Sequence, residues 1–198
     1  MNTSAQQQVK YTEEEYFALD EEGEKEGKRY EYHDGEVLLI SDSSITHNEI
    51  IAQAFISLAN SLKGKACKPL TSSQRVHIES KSMYCFPDIV VVCGEIETMD
   101  TQKDTITNPT VIIEILSPST MDYDRGEKFG MYRKIPSLKE YVCISSLKVA
   151  VEKYTRKGDF QWLLQDFYSI DDSIVFESLG ITLSIADVYQ DIDFSKIE

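Results

Sequence analysis

The chain has 198 residues, 41% of them hydrophobic, and a formal charge of −14; that is enough apolar content for a buried core and excludes the low-hydrophobicity signature of disorder. The acidity argues against strong non-specific nucleic-acid binding, which draws on phosphate neutralisation. No apolar run approaches a bilayer span, and the first eight residues lack the basic flank and apolar centre of a signal peptide, so the expectation is a cytoplasmic protein without membrane association.

Residues 1–10 read as a polar tail, 11–190 as a single domain and 191–198 as a second tail. Thr12 followed by Glu15 has the form of a capping box, with acids in the first helical turn where the helix dipole favours them. Tyr30 to Ile40 reads as a hairpin turning at Asp34-Gly35. The clearest helix runs from Thr46 to Leu62, with Thr46 and Glu49 as a second capping box, a stripe of Ile50, Ile51, Ala54, Phe55, Leu58 and Leu62, and Lys63-Gly64 as its stop. His47 shares the buried side of its first turn, first as a hydrogen-bonded core histidine and second as a site residue.

A loop rich in Lys, Pro and Ser leads to Gln74–Glu79, whose alternation suits a strand with one wet face and places His77 among the solvent-facing positions. The four cysteines, Cys67, Cys85, Cys93 and Cys143, are widely spaced and lie in or beside apolar runs, so they read as reduced core thiols and not as a disulfide framework or zinc site.

Two stretches then carry acids where strands have little use for them. Phe86 to Cys93 and Thr110 to Leu116 are continuous β-branched runs, the pattern of strands covered on both faces, and they hold Asp88 and Glu114. An ionised carboxylate in such a place costs several kcal/mol unless it is paired, protonated or bound to a cation. A divalent metal site is one reading; the other has Asp88 capping a strand entrance and Glu114 paired with a core cation.

A helix follows from about Asp124 to Ile135, stopped by Pro136. At 100° per residue, with Lys128 at zero, Asp124 lies at about −40°, Met131 at about −60°, Tyr132 at about +40° and Ile135 at about −20°. Lys128 is therefore central to the apolar arc, while Glu127, Arg133 and Lys134 take the outer face. An inward lysine supplies either a buried ion-pair partner for Glu114 or Asp88, or the third member of a catalytic set.

Pro87-Asp88, then Glu114-Ile115-Leu116, then Ser117-Pro118-Ser119-Thr120, then Asp124, Lys128 and Tyr132 one helical turn apart, form an ordered set. It resembles the Uma-two family of restriction-endonuclease type proteins in the PD-(D/E)-x-K nuclease superfamily. Glu31 with Asp34-Gly35-Glu36, and His47 opening the long helix, resemble the family's upstream pattern. The last third resembles it too, with strands at Val149–Tyr154, Phe160–Asp166 and Ile174–Phe176 and a final helix near Ala186–Tyr189. Leu116 departs from the superfamily pattern, which has lysine there; Lys128 is the position that matches the family's displaced lysine.

The resemblance implies an α/β (α+β) fold with a mixed central sheet between the two helices, extra C-terminal strands, and hydrolysis of DNA phosphodiester bonds. Asp88, Glu114 and the Ile115 carbonyl would hold Mg²⁺ or Mn²⁺, Lys128 would assist the attacking water, and Glu31, His47 and Tyr132 would be accessory. A homodimer would give one site per DNA strand. Two further readings stay open: a nuclease fold used for binding or regulation, and a structural interaction domain with a buried ion-pair network. Between Lys63 and Lys157, 15 lysines and arginines stand against 12 aspartates and glutamates, so the acid is concentrated in the flanks. No basic recognition helix or aromatic-interleaved basic patch is visible along the chain.

Overall fold

In a computed structural model, which describes residues 10–40, 44–102 and 104–196, the two β-branched runs become neighbours inside a six-stranded sheet of order β11-β10-β9-β8-β6-β3. Strands are numbered along the chain. β6 (Ile89–Cys93) and β8 (Val111–Leu116) pair antiparallel with Ile89 opposite Ile113, and β8 pairs parallel with β9 (Glu140–Ser145). The hairpin of β10 (Val151–Gly158) and β11 (Gln161–Phe167) extends one edge, and β3 (Cys67–Thr71) closes the other.

Alternation along β6 and β8 sorts their side chains into two cores. Ile89, Val91, Val111, Ile113 and Ile115 meet helix α2 (Ile45–Ser61) through Ile50, Ala54 and Leu58. The same face carries the hairpin of β12 (Ser173–Phe176) and β13 (Ile181–Ser184) and a short helix, Ile185–Val188. Val90, Val92, Ile112 and Leu116 point the other way, against Phe129, Tyr132 and Ile135. Covering on both faces is what continuous apolar strands require.

A second sheet, ordered β2-β1-β5-β4-β7, borders this other face. It contains β1 (Tyr30–His33), β2 (Glu36–Leu39), β4 (Arg75–Ile78), β5 (Met83–Cys85) and β7 (Thr105–Ile106). Asp34 and Gly35 turn the β1–β2 hairpin with φ of 46° and 94°, the left-handed pair that a two-residue turn needs. Helix α1 (Glu13–Lys25) starts at the Thr12–Glu15 capping box and packs Tyr16 against Tyr32 and Tyr84. The architecture is mixed α+β.

Several sequence expectations need correction. Ser44 caps α2 by accepting the His47 N–H at 3.2 Å, which places Thr46 inside the first turn, where it forms no box with Glu49. β3 occupies part of the expected loop; its Pro69 is tolerated on a sheet edge, where a ladder donor is dispensable. β9 has no counterpart in the sequence-based assignment. Register places Cys67 opposite Cys93 across β3 and β6, and they form a disulfide, while Cys85 and Cys143 are free and buried. The polar face of β4 is not uniformly wet: Arg75 is buried against Asp20 at 2.5 Å and lies over the Phe17 and Phe86 rings. His77 is half-exposed and stacks on Tyr84.

The helix that carries Lys128 runs earlier and is less regular than its periodicity suggests. An α turn (Met121–Tyr123), a π turn (Asp124–Lys128) and an α turn (Phe129–Tyr132) follow one another, and the Phe129 N–H reaches back five residues to the Asp124 carbonyl. Single π turns inside α-helices concentrate at functional sites. Tyr141 Oη also donates to the Asp124 carbonyl, at 3.0 Å, tying the turn to β9.

Candidate active site

Asp88 stands immediately before β6, beyond the point where its ladder with β8 ends. Its carboxylate extends that ladder: Oδ2 accepts the Ile115 N–H at 2.7 Å, and the Asp88 N–H donates to Glu114 Oε2 at 3.2 Å. The two acids are thus laced across neighbouring strands by reciprocal backbone-to-carboxylate bonds. Glu114, in the middle of β8, is 3% exposed.

The other Glu114 oxygen, Oε1, lies 3.0 Å from Lys128 Nζ and accepts the Tyr132 hydroxyl at 2.8 Å. Lys128 Nζ is also 3.2 Å from Glu31 Oε1 and 3.6 Å from Asp124 Oδ1. Glu31 is held in turn by the Phe86 N–H at 3.1 Å. His47 Nε2 sits 2.8 Å from the Ile115 carbonyl oxygen and 3.5 Å from Asp88 Oδ2. A carbonyl only accepts, so the ring donates from Nε2; its buried Nδ1 has no hydrogen-bond partner among the described residues.

These groups border a cleft of about 480 Å³, walled by Leu38, Leu39 and Ile40 of the first hairpin and by the hydroxyl-bearing run from Ser117 to Thr120. Among the described residues lining it, Lys128 is the one lysine or arginine, against Glu31, Asp88, Glu114 and Asp124. Burial raises the Asp88 carboxyl above its ordinary value, against the pull of His47 and the Ile115 N–H. Burial pushes Glu114 up to about 8, opposed chiefly by Lys128. Burial works to lower Lys128, but Glu114, Glu31 and Asp124 outweigh it and hold the ammonium well above its usual range. Tyr132 is raised well above its ordinary value by burial, and its hydroxyl remains a donor.

The structure brings Asp88, Glu114, Lys128, Ile115, Glu31 and His47 to one cleft, with Tyr132 behind Glu114. His47 is buried and hydrogen-bonded, as the core-histidine reading has it, and its partner is a cleft-lining carbonyl. The sequence reading did not count Asp124 as a site carboxylate, although its four-residue spacing from Lys128 is the available signal.

Among the described residues no group of three or more His, Cys, Asp and Glu side chains is arranged to hold a metal ion by itself. The donors at the cleft are instead two carboxylates and a backbone carbonyl, hard oxygens suited to Mg²⁺, which binds through one or two carboxylates and keeps several waters. The surplus of carboxyl groups over cations at the cleft fits the same ion.

A family model described as "Uma2: Putative restriction endonuclease" matches residues 13–186. The chain belongs to the Uma2 family. Two Synechocystis sp. relatives carry the names "Uncharacterized protein slr1290" and "Uncharacterized protein sll1609". The first is 31% identical over 185 residues, covering 93% of this chain and 94% of the relative, and the second is 32% identical over 158 residues, covering 80% and 89%. The crystal structure of a "putative nuclease belonging to DUF820" from Anabaena variabilis superposes with a TM-score of 0.72 at 19% identity, covering 93% of this Uma2 chain and 98% of that one. The two chains therefore share one fold. No described helix is long and apolar enough to cross a membrane.

Proposed function

We propose that this Uma2 protein is a divalent-metal-dependent endonuclease that hydrolyses DNA phosphodiester bonds at the Asp88–Glu114–Lys128 cleft. The observation that carries this reading is the imbalance of acid over base: three buried carboxylates share one ammonium, and a fourth, Asp88, stands beside them in the same open cleft. A structural ion-pair network would close on itself.

Asp88, Glu114 and the Ile115 carbonyl would hold Mg²⁺ or Mn²⁺. When bound, such an ion lowers the pKa of a coordinated water and neutralises charge on the scissile phosphate. The chain's own groups do the positioning. His47 fixes the Ile115 carbonyl, the Ile115 N–H orients Asp88, and the Tyr132 hydroxyl and Lys128 fix Glu114 Oε1. Lys128 also offers a proton donor and a countercharge to the phosphate as negative charge develops in the transition state.

The test is nicking of supercoiled plasmid with Mg²⁺ or Mn²⁺, alongside Asp88→Asn and a chelator lane. Cleavage by the wild type that disappears in both controls is the expected result. Full activity in Asp88→Asn, or cleavage that survives the chelator, overturns the proposal. Calorimetric Mn²⁺ titration then separates a silent metal-binding module from a cleft that takes no metal.

A further inference from the structure

A second surface on the same face of the central sheet is basic and aromatic. Arg156 joins two segments: Nε donates to the Leu138 carbonyl at 2.7 Å, and one terminal nitrogen donates to the Arg133 and Ile135 carbonyls at 2.9 Å each. Its guanidinium carbon lies 4.4 Å from the Trp162 ring centre. The end of the Lys128-bearing helix is thereby fixed against the β10–β11 hairpin, around a hollow of about 500 Å³.

Arg133 and Lys134 are exposed on this platform, and neither side chain forms an ion pair among the described residues. Asp159 is the single acid lining the hollow. At the hairpin tip Phe160 is 98% exposed. Unpaired like charges gathered beside a fully presented aromatic ring, in a chain of net charge −14, repel one another unless an anion arrives. A positively charged groove combined with aromatic rings is how single strands are held, because stacking needs a base face that a duplex hides.

We propose that this surface binds single-stranded nucleic acid, with Arg133 and Lys134 on phosphates and a base stacked on Phe160. The inference rests on the nuclease reading only in making that strand the substrate of the Lys128 cleft; Lys134 follows Lys128 by six residues, just past the end of the helix at Tyr132. The linear sequence shows no such patch because 133–139 and 156–162 meet only in the fold.

Fluorescence anisotropy with labelled oligodeoxythymidylate, and with a duplex of equal length, tests it in chelator so that cleavage plays no part. The wild type should prefer the single strand, Phe160→Ala should weaken binding about tenfold, and Arg133→Glu with Lys134→Glu should weaken it about 100-fold and flatten the salt dependence. Since nothing packs on Phe160, the first variant stands even if the double variant misfolds. Binding that is absent, indifferent to Phe160→Ala, or stronger for duplex overturns the inference. Patch-dependent binding with no Mg²⁺- or Mn²⁺-dependent cleavage of either plasmid or the single strand would remove the nuclease reading alone, and cleavage with patch-independent binding would remove this one alone.

Discussion

Lys153 and Lys128 are both buried and both meet carboxylates, but one site is closed and balanced while the other is open and over-acidic. Lys153 is 1% exposed and faces Glu140 at 2.7 Å. Glu140 also accepts the Glu177 N–H at 3.1 Å, the Ser178 N–H at 3.2 Å and the Ser178 hydroxyl, while Lys153 donates to the Val175 carbonyl. Every partner belongs to the β12–β13 hairpin or to the sheet beneath it, so the pair clamps one on the other. Around Lys128, three carboxylates share one ammonium, Asp88 adds a fourth charge, and the cleft gives access from outside. The same pairing of residue types serves cohesion where charges cancel; where they do not, the excess of carboxyl groups is what the proposed metal site draws on.

Conservative removal of one carboxylate from each site sets the two apart. Glu140→Gln leaves Lys153 as an uncompensated buried charge and should cost about 3–5 kcal/mol of stability in urea unfolding, without a specific effect on nicking by the folded fraction. Glu114→Gln should do the reverse, lowering nicking by about 100-fold or more while holding or raising stability in chelator. The pH dependence gives the sign. Because burial raises the Glu114 carboxyl from 4.5 in the unfolded chain to about 8 in the folded one, wild-type stability from this group is full below 4.5 and is lost as pH rises towards 8. Glutamine mimics the protonated form, so the advantage of Glu114→Gln should be absent at pH 4 and grow steadily to pH 8. A stability loss in Glu114→Gln as large as that in Glu140→Gln would reduce the cleft to a second structural ion pair.

Much of this contrast was legible before the fold. The β-branched runs placed Asp88 and Glu114 on neighbouring strands, and helical periodicity turned Lys128 inward, because both patterns are local and repeat over many residues. What escaped depends on register or on distant segments meeting. Cys67 and Cys93 are 26 residues apart and become opposite only when β3 pairs with β6. The π turn adds one residue that a fixed 100° step does not foresee, although the four-residue spacing already puts Asp124 on the same side as Lys128. Ser44 and Thr46 are both competent caps two positions apart, and the chain uses Ser44. Glu140 and Lys153 went unread as a pair, since neither carries a motif and β9 lies in a stretch without clear alternation.

The smallest expected effect probes how the open site is held. Tyr132 donates to the same Glu114 oxygen that Lys128 faces, and its ring packs in the core with no part of it lining the cleft. Tyr132→Phe removes one hydroxyl and keeps the packing, so it should cost about 1 kcal/mol in unfolding. In nicking it should cost roughly fivefold to tenfold, the same energy seen through a Glu114 carboxylate less firmly placed. In Glu114→Gln the substitution should add little to the loss of activity, because the group it positions is already neutral; independent, additive losses in the double variant would mean that Tyr132 acts elsewhere than through Glu114.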